Sequence, residues 1–475
     1  MNSALLRSPR LLVTAAALLL AACGSPMPPL QIPATPVAQG FAFTTGTGAG
    51  GVAAADIAWQ QFFPDARLRQ LMALALDNNR DLRVAVLNIA QARAQLQLRR
   101  ADEWPTVNIG ATGARQPTAA GGISSTYTAG LSVIGYEFDF FGRVQSLGQA
   151  ALAQLLATEE ARKTVQVSLI AAVANTYLSL LADDAQLRIT RDTLQTREES
   201  LRLTRLKFDQ GVSSELDWRQ AESLLESARA ALAQLTRQRA LDDNALGLLL
   251  GQAMSGPQLA ALPAGLPLSG QGLQLELAAD MPSAVLLRRP DVRQAEQQLR
   301  QANANIGAAR AAFFPRISLT TSVGTASSEL SGLFRGGSFG WSFAPQIILP
   351  IFDAGRNQAN LDAAQVGQDI ATAHYEKTIQ GAFREVADVL AARATLGEQL
   401  RAQTAQAGAE ETRLRLTDLR YRAGAANHFE LLDAQRSVFA ARQAVVQLQL
   451  QQAQNLVNLY RALGGGWTDP AAPGG

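Results

Sequence analysis

The sequence predicts a mainly α chain with a membrane β part, organised as two tandem structural repeats. Three observations predict it. One turn-centred stretch occurs twice, two long spans lack proline, and four short segments alternate apolar with polar residues.

The repeat is clearest at the turns. Leu414–Arg436 reads as the end of one helix, a tight turn at Gly424 and the start of another. A shift of 213 residues carries Leu203-Thr204 onto Leu416-Thr417, Lys207-Phe208 onto Arg420-Tyr421, Gly211 onto Gly424 and Asp217 onto Glu430. The same shift carries Gly142-Arg143 onto Gly355-Arg356 and Leu250-Gly251 onto Leu463-Gly464. Earlier in each half the shift is 210, from Asp81-Leu82-Arg83 to Asp291-Val292-Arg293 and from Trp104-Pro105 to Phe314-Pro315. A loop between Pro105 and Gly142 therefore differs in length between the halves. Duplication at this scale means one doubled fold rather than the three domains that the length alone suggests.

Residues 1–22 read as a signal peptide: Arg7 and Arg10 precede the apolar run Leu11–Leu20, which ends in Leu20-Ala21-Ala22-Cys23. Cys23 is the only cysteine in the chain, which makes it the candidate for lipidation and forbids an internal disulfide or a cysteine metal cluster. A lipid there anchors the chain rather than threading it, and residues 23–60 form the lipidated extended tether, rich in Pro, Gly and Thr. Beyond the signal, no run of 18 uninterrupted apolar residues predicts a membrane-spanning helix. The net charge of +2 with 17% charged residues gives no footprint for nucleic acid.

The first repeat, 61–265, contains a helix, strands at 106–115 and 127–138, a long helix at 143–209 and a return helix at 214–250. The second, 266–465, contains a helix at 291–312, strands at 316–324 and 338–349, a long helix at 355–422 and a return helix at 428–462. A tail follows at 466–475. Proline is absent from Thr118 to Gly256 and from Ile351 to Asp469, so nothing interrupts the long helices. Each spans roughly 100 Å at ~1.5 Å per residue. Leu180, Leu187, Leu194, Leu201 and Phe208 recur at coiled-coil spacing, as do Leu400, Ala407, Leu414 and Tyr421.

The strands decide between a soluble scaffold and a membrane protein. Val107, Ile109, Ala111 and Gly113 alternate with polar or small residues, as do Tyr127, Ala129, Leu131 and Val133, and the second half echoes both. Their length fits a tilted crossing of an outer membrane, although a soluble antiparallel sheet has the same alternation. Four strands leave two unpaired edges, and a membrane barrel needs at least about eight. In a membrane, then, two or more chains must combine; twelve strands from three chains would enclose a pore, whereas eight would pack nearly solid.

Phe138-Asp139-Phe140-Phe141-Gly142-Arg143, Pro350-Ile351-Phe352-Asp353-Ala354-Gly355-Arg356 and Leu431-Leu432-Asp433-Ala434-Gln435-Arg436, with the tandem repeat, resemble the TolC-like outer membrane efflux proteins. The lipoprotein signal and the ending Ala462-Leu463-Gly464-Gly465-Gly466-Trp467 are similar to the OprM branch. The resemblance implies a homotrimer with a long α-helical barrel and a 12-stranded β-barrel, lipid-anchored in the outer membrane of a Gram-negative bacterium, its helical tunnel in the periplasm. It also implies two partners, a periplasmic membrane fusion adaptor and an inner-membrane pump of the RND type. The same architecture serves heavy-metal export or type I protein secretion in other cases; a periplasmic coiled-coil adaptor would have one hairpin and shorter strands.

At the turns, Asp217, Glu430 and Asp433 gather. Three-fold symmetry would make each a ring of carboxylates that favours cations. Ser214-x-x-Asp217 and Asn427-x-x-Glu430 equally have the form of capping boxes, which leaves Asp433 the acid that capping explains least. The resemblance implies that Phe429, Glu430 and Asp433 form the periplasmic gate, that Asp217 and Tyr421 form a latch to which Arg436 contributes, and that Gly211, Val212, Gly424 and Ala425 dock the adaptor. His428 reads as a lone surface histidine. No P-loop, dinucleotide turn or nucleophile elbow occurs, so the expectation is no enzyme, no metal site and no cofactor other than lipid on Cys23.

Overall fold

The computed structural model describes residues 27–43, 56–119, 121–253, 262–273 and 281–467. The signal segment, Cys23 and most of the C-terminal tail lie outside the described residues. In order, the helices are α1 (Trp59–Phe62), α2 (Ala66–Asn78), α3 (Arg80–Ala101), α4 (Arg143–Asp209), α5 (Glu215–Leu250), α6 (Pro290–Ala311), α7 (Arg356–Arg422) and α8 (His428–Ala462). Strands β1 (Val107–Pro117) and β2 (Ile123–Phe138) lie between α3 and α4, and β3 (Arg316–Ser327) and β4 (Phe339–Ile348) between α6 and α7. The long helices α4 and α7 each run 67 residues.

The chain divides into two units. The first comprises Met1–Thr35, Leu87–Glu159 and Gln294–Lys377, and carries the sheet. The strands are antiparallel in the order β1-β2-β3-β4, so the two repeats join at the central β2–β3 pair. Register separates the two faces. Ile109 lies opposite Leu131, Leu131 opposite Val323 and Val323 opposite Trp341, while Ser132 lies opposite Asn108 and Ser322, and Ser322 opposite Ser342. Because side chains alternate, this aligns one apolar and one polar face across all four strands. The apolar face is bare: Ile109, Leu131, Val323, Phe339, Trp341, Phe343 and Ile347 are all exposed. A water-soluble chain rarely shows such a contiguous patch, whereas lipid covers it without penalty.

One further row crosses the sheet: Gly110, Gly130, Gly324 and Gly340 lie opposite one another in turn. A Cβ on Gly130 would meet the Val323 carbonyl oxygen at 2.3 Å, and one on Gly324 the Ala129 oxygen at 2.2 Å. Missing side chains thus let the two repeats bend closely together along this line. A bulge between Val133 and Tyr136 places Gly135 at φ +68°. At the base of β2, Glu137 accepts from Arg143 Nε at 2.8 Å and pairs with Arg316 Nε at 2.6 Å, tying β2 to α4 and β3.

The second unit comprises Pro36–Val86, Glu160–Arg293 and Thr378–Gly475. Its core includes Leu68, Leu71 and Met72 of α2, Leu178 of α4, Leu250 of α5 and Tyr460 of α8. Tyr460 stacks on Phe62 at 4.2 Å, and a Cβ on Gly465 would enter its ring, at 2.3 Å from the nearest carbon. Asp65 caps α2 through Arg67 N and also accepts from Tyr177 Oη at 3.0 Å and Gln271 Nε2 at 3.1 Å. Among the described residues, α4 alone is long and apolar enough to cross a membrane by length and composition; 61% of its apolar window is buried within the protein, as befits a core helix.

Candidate functional site

The two turns are built alike. Gly211 and Gly424 both have φ +73°, the left-handed conformation that glycine adopts without strain. Val212 N donates to Lys207 O at 2.9 Å, and Ala425 N to Arg420 O at 2.8 Å, closing the ends of α4 and α7 in the same way. Both returning helices begin with capping boxes, Ser214 with Asp217 and Asn427 with Glu430.

Those boxes occupy two of the predicted acids. Asp217 accepts from Ser214 Oγ at 2.8 Å, Ser213 Oγ at 3.1 Å and Ser214 N at 3.2 Å. Burial works against its charge, but the bonds from Ser214 and Ser213 prevail and hold its carboxyl below the usual range. Glu430 accepts from Asn427 N at 3.5 Å, and Arg420 Nη1 lies 4.0 Å away. Asp433 is held differently. It accepts from Arg413 of α7 and from Arg436 at 2.5 Å; the Arg413 bond, first, and the Arg436 bond lower its pKa. Asp433 is therefore ionised and balanced by two guanidinium groups. Phe429 beside it is exposed, as is Val212 at the other turn.

The predicted Asp217–Tyr421 latch is not formed as a hydrogen bond. The Asp217 carboxylate is taken up by its own cap, and Tyr421 Oη accepts instead from Lys207 Nζ of α4 at 3.0 Å. The same ammonium lies 4.7 Å from the Tyr421 ring centroid. Arg436 pairs with Asp433 within α8. The hairpins are held together by Lys207–Tyr421 and by a second contact, Thr204 Oγ1 to His428 Nε2 at 3.4 Å.

His428 also departs from expectation: it is 8% exposed, not on the surface, with its ring 5.5 Å from that of Tyr421. It opens α8, and the residues around it come from the three other tip helices: Thr204 and Lys207, Asp217, and Tyr421. Burial lowers its pKa first; Asp217 opposes that shift and Lys207 adds to it. Sequence reasoning missed Lys207 and Thr204 because helix facing, not spacing, brings them to their partners. The repeat shift aligns Lys207 with Arg420 and so marks it as a basic position, but says nothing of its partner. Among the described residues no group of three or more His, Cys, Asp or Glu side chains is placed to hold a metal ion. The arrangement is a set of polar ties between two helical hairpins, suited to holding and releasing them.

Comparison with known proteins agrees with this architecture. The family model for outer membrane efflux proteins matches residues 71–252 and 281–465, one match per repeat. The chain is 47% identical over 465 residues to the toluene efflux pump outer membrane protein TtgC of Pseudomonas putida, covering 95% of this chain and 94% of that protein. It is 46% identical over 462 residues to outer membrane protein OprJ of Pseudomonas aeruginosa, covering 95% of each. The crystal structure of the open state of the Neisseria gonorrhoeae MtrE outer membrane channel superposes with a TM-score of 0.85 at 42% identity, over 93% of this chain and 98% of that one. With its bare apolar sheet face, its paired hairpins and these matches over nearly its whole length, the chain belongs to the outer membrane efflux protein family and is an outer-membrane channel protein.

Proposed function

We propose that three copies of this chain form the exit duct of a tripartite efflux pump. The duct passively conducts small toxic compounds, drugs among them, from an inner-membrane RND-type pump and a periplasmic adaptor to the exterior. The observation that carries this reading is the sheet: one bare apolar face, one polar face and two open edges at β1 and β4. Four strands cannot close, and three such sheets give a twelve-stranded barrel with a polar lumen. The name of the TtgC relative, for toluene, supports small apolar cargo.

The tip hairpins gate the duct. Phe429, Glu430 and Asp433 line its narrow end, Lys207–Tyr421 holds the hairpins in place, and Gly211, Val212, Gly424 and Ala425 receive the adaptor. Exposed Val212 and Phe429 support a tip that offers apolar contacts. Lipid on Cys23 anchors the chain at the outer membrane. The test is the native mass of the detergent-solubilised protein. Three chains are expected, and a monodisperse monomer would refute the duct.

A further inference from the structure

Two aspartates meet inside the first hairpin, well away from the tip. Asp183 lies on α4 among the buried Leu178, Leu180, Ala182 and Leu187, and is itself only 7% exposed. Its carboxyl is within hydrogen-bonding reach of Asp242 on α5. Yet Asp183 Oδ2 is buried with no hydrogen-bond partner among the described residues. Two ionised carboxylates offer each other acceptors only, so the contact stays unsatisfied while both are charged. One proton between them supplies the missing donor.

The groups around the pair do not neutralise it. Arg239 of α5 donates to Asp184 at 2.7 Å and lies 4.0 Å from Asp243. Asp242 Oδ1 accepts from Gln238 Nε2 at 3.2 Å. On the α8 side, polar contacts one turn either way from Asp183 are neutral: Gln447 meets Gln186, and Gln454 meets Ser179. At the start of α3, Arg80 and Asp81 line a cavity with Asp243. Burial first, then the charge and hydrogen bond of Asp242 and the charge of Asp184, push the Asp183 carboxyl up to about 7 against the pull of Arg239.

The second repeat shows what the hairpin itself requires. The shift of 213 carries Asp183 onto Leu396 and Asp242 onto Asn455. Neither of these ionises, and Asn455 Nδ2 donates to Val389 O at 3.1 Å. The same two positions are thus filled without charge in the other hairpin, so the acid pair is a feature of the first hairpin alone.

We propose that Asp183 and Asp242 share one proton and form a pH-responsive tie between α4 and α5, firm while the proton is held and loosened by like-charge repulsion when it leaves. The pair lies within one chain, so the tie does not depend on the duct reading. The folded chain keeps a proton that the unfolded chain gives up above 3.8. The hairpin therefore loses stability as pH rises from that value to about 7 and is level beyond it. Acid firms this contact, the opposite of its action at His428.

Infrared difference spectra of the purified full-length protein read the proton directly. Wild type should show a carboxylic-acid carbonyl band at pH about 6 that is lost by pH about 8, and Asp183→Asn should lack it. Thermal melts give a second readout. Between pH about 4 and about 7 the wild-type midpoint should fall relative to that of Asp183→Asn, and the variant should be the more stable at pH about 8. Asp183→Leu with Asp242→Asn, which copies the second repeat, should behave like the single variant.

No acid band in wild type, or one kept in full by both variants, overturns the shared proton. Melts with the same pH dependence in wild type and variants overturn the tie. Failure of both variants to fold would mean that the fold demands the charges, and the proposal falls. Magnesium that raises the wild-type midpoint but not the variants', with no acid band, would put a metal bridge in place of the proton and overturn it equally.

Discussion

Tyr421 separates two contributions to the tip contact. Tyr421→Phe deletes the hydroxyl that accepts from Lys207 at 3.0 Å but keeps the ring that the ammonium faces at 4.7 Å; Tyr421→Ala removes both. A hydrogen bond to a charged group contributes roughly 1.5–3 kcal/mol when sheltered. This one is exposed, so the range for exposed ionic contacts, ~0.2–1 kcal/mol, is the appropriate one. The ring contact adds about 0.5–1 kcal/mol at an exposed site. If three symmetry-related contacts act on one closed-to-open transition, Tyr421→Phe shifts it by roughly 0.6–3 kcal/mol and Tyr421→Ala by about 2–6 kcal/mol. At ~1.4 kcal/mol per factor of ten, the Phe variant raises the open-to-closed ratio roughly 3- to 150-fold. Single-channel recording in planar bilayers reads this as open probability. Lys207→Met removes the ammonium that makes both contacts, so it should match Tyr421→Ala rather than Tyr421→Phe, and adding Tyr421→Phe to it should change little. An open probability unchanged in Tyr421→Ala would refute the latch.

Three other outcomes follow from the same geometry. Gly130→Ala or Gly324→Ala should destabilise the assembled barrel by about 1–3 kcal/mol, since the new Cβ overlaps facing backbone. Unchanged thermal melts in both variants would show that the glycine row does not set the curvature. The His428 imidazole has its pKa lowered from 6.5 on folding, so the tip packing around it is at full strength above that value and weakens as pH falls through the lowered one. Conductance should therefore rise on acidification from pH about 7.5 to about 5 and should do so much less in His428→Gln; identical acid responses would place the sensor elsewhere. Mature wild-type protein should incorporate radioactive palmitate and Cys23→Ala should not, and label retained by the variant would exclude that cysteine as the anchor.

Much of the fold was legible because it rests on local chemistry repeated twice. Gly211 and Gly424 announced the turns, and proline-free spans announced α4 and α7. The start of β2 was not legible. Ile123-Ser124-Ser125-Thr126 has the composition of a loop, yet pairing with β1 as far as Pro117 draws it into the sheet, so β2 begins four residues before the Tyr127 expected from alternation. The helical seam was legible only in part. Leu180 and Leu187 are buried as their spacing predicts, but Leu194 and Leu201 are only half-buried. A polar line at the same seven-residue spacing is buried beside them: Asp183, Thr190, Arg197 and Thr204. Thr190 and Thr204 satisfy their hydroxyls on carbonyls four residues back, at Gln186 and Ser200, and Arg197 reaches the Leu224 carbonyl at 2.7 Å. Hydrophobic spacing cannot find residues that are buried by satisfying carbonyls of their own helix, as the threonines do, or of a neighbouring one, as Arg197 does. At the tip, the capping boxes were readable from type and spacing, whereas Lys207–Tyr421 and Thr204–His428 depend on which helix faces meet.

As an exit duct, this chain should make a water-filled path through a membrane without help from another protein. The direct measurement is ion current across a planar bilayer holding only the purified wild-type protein or Tyr421→Ala. Discrete current steps are expected, with an open fraction that grows in the variant. Protein that inserts into the bilayer and passes no current in either form would contradict it.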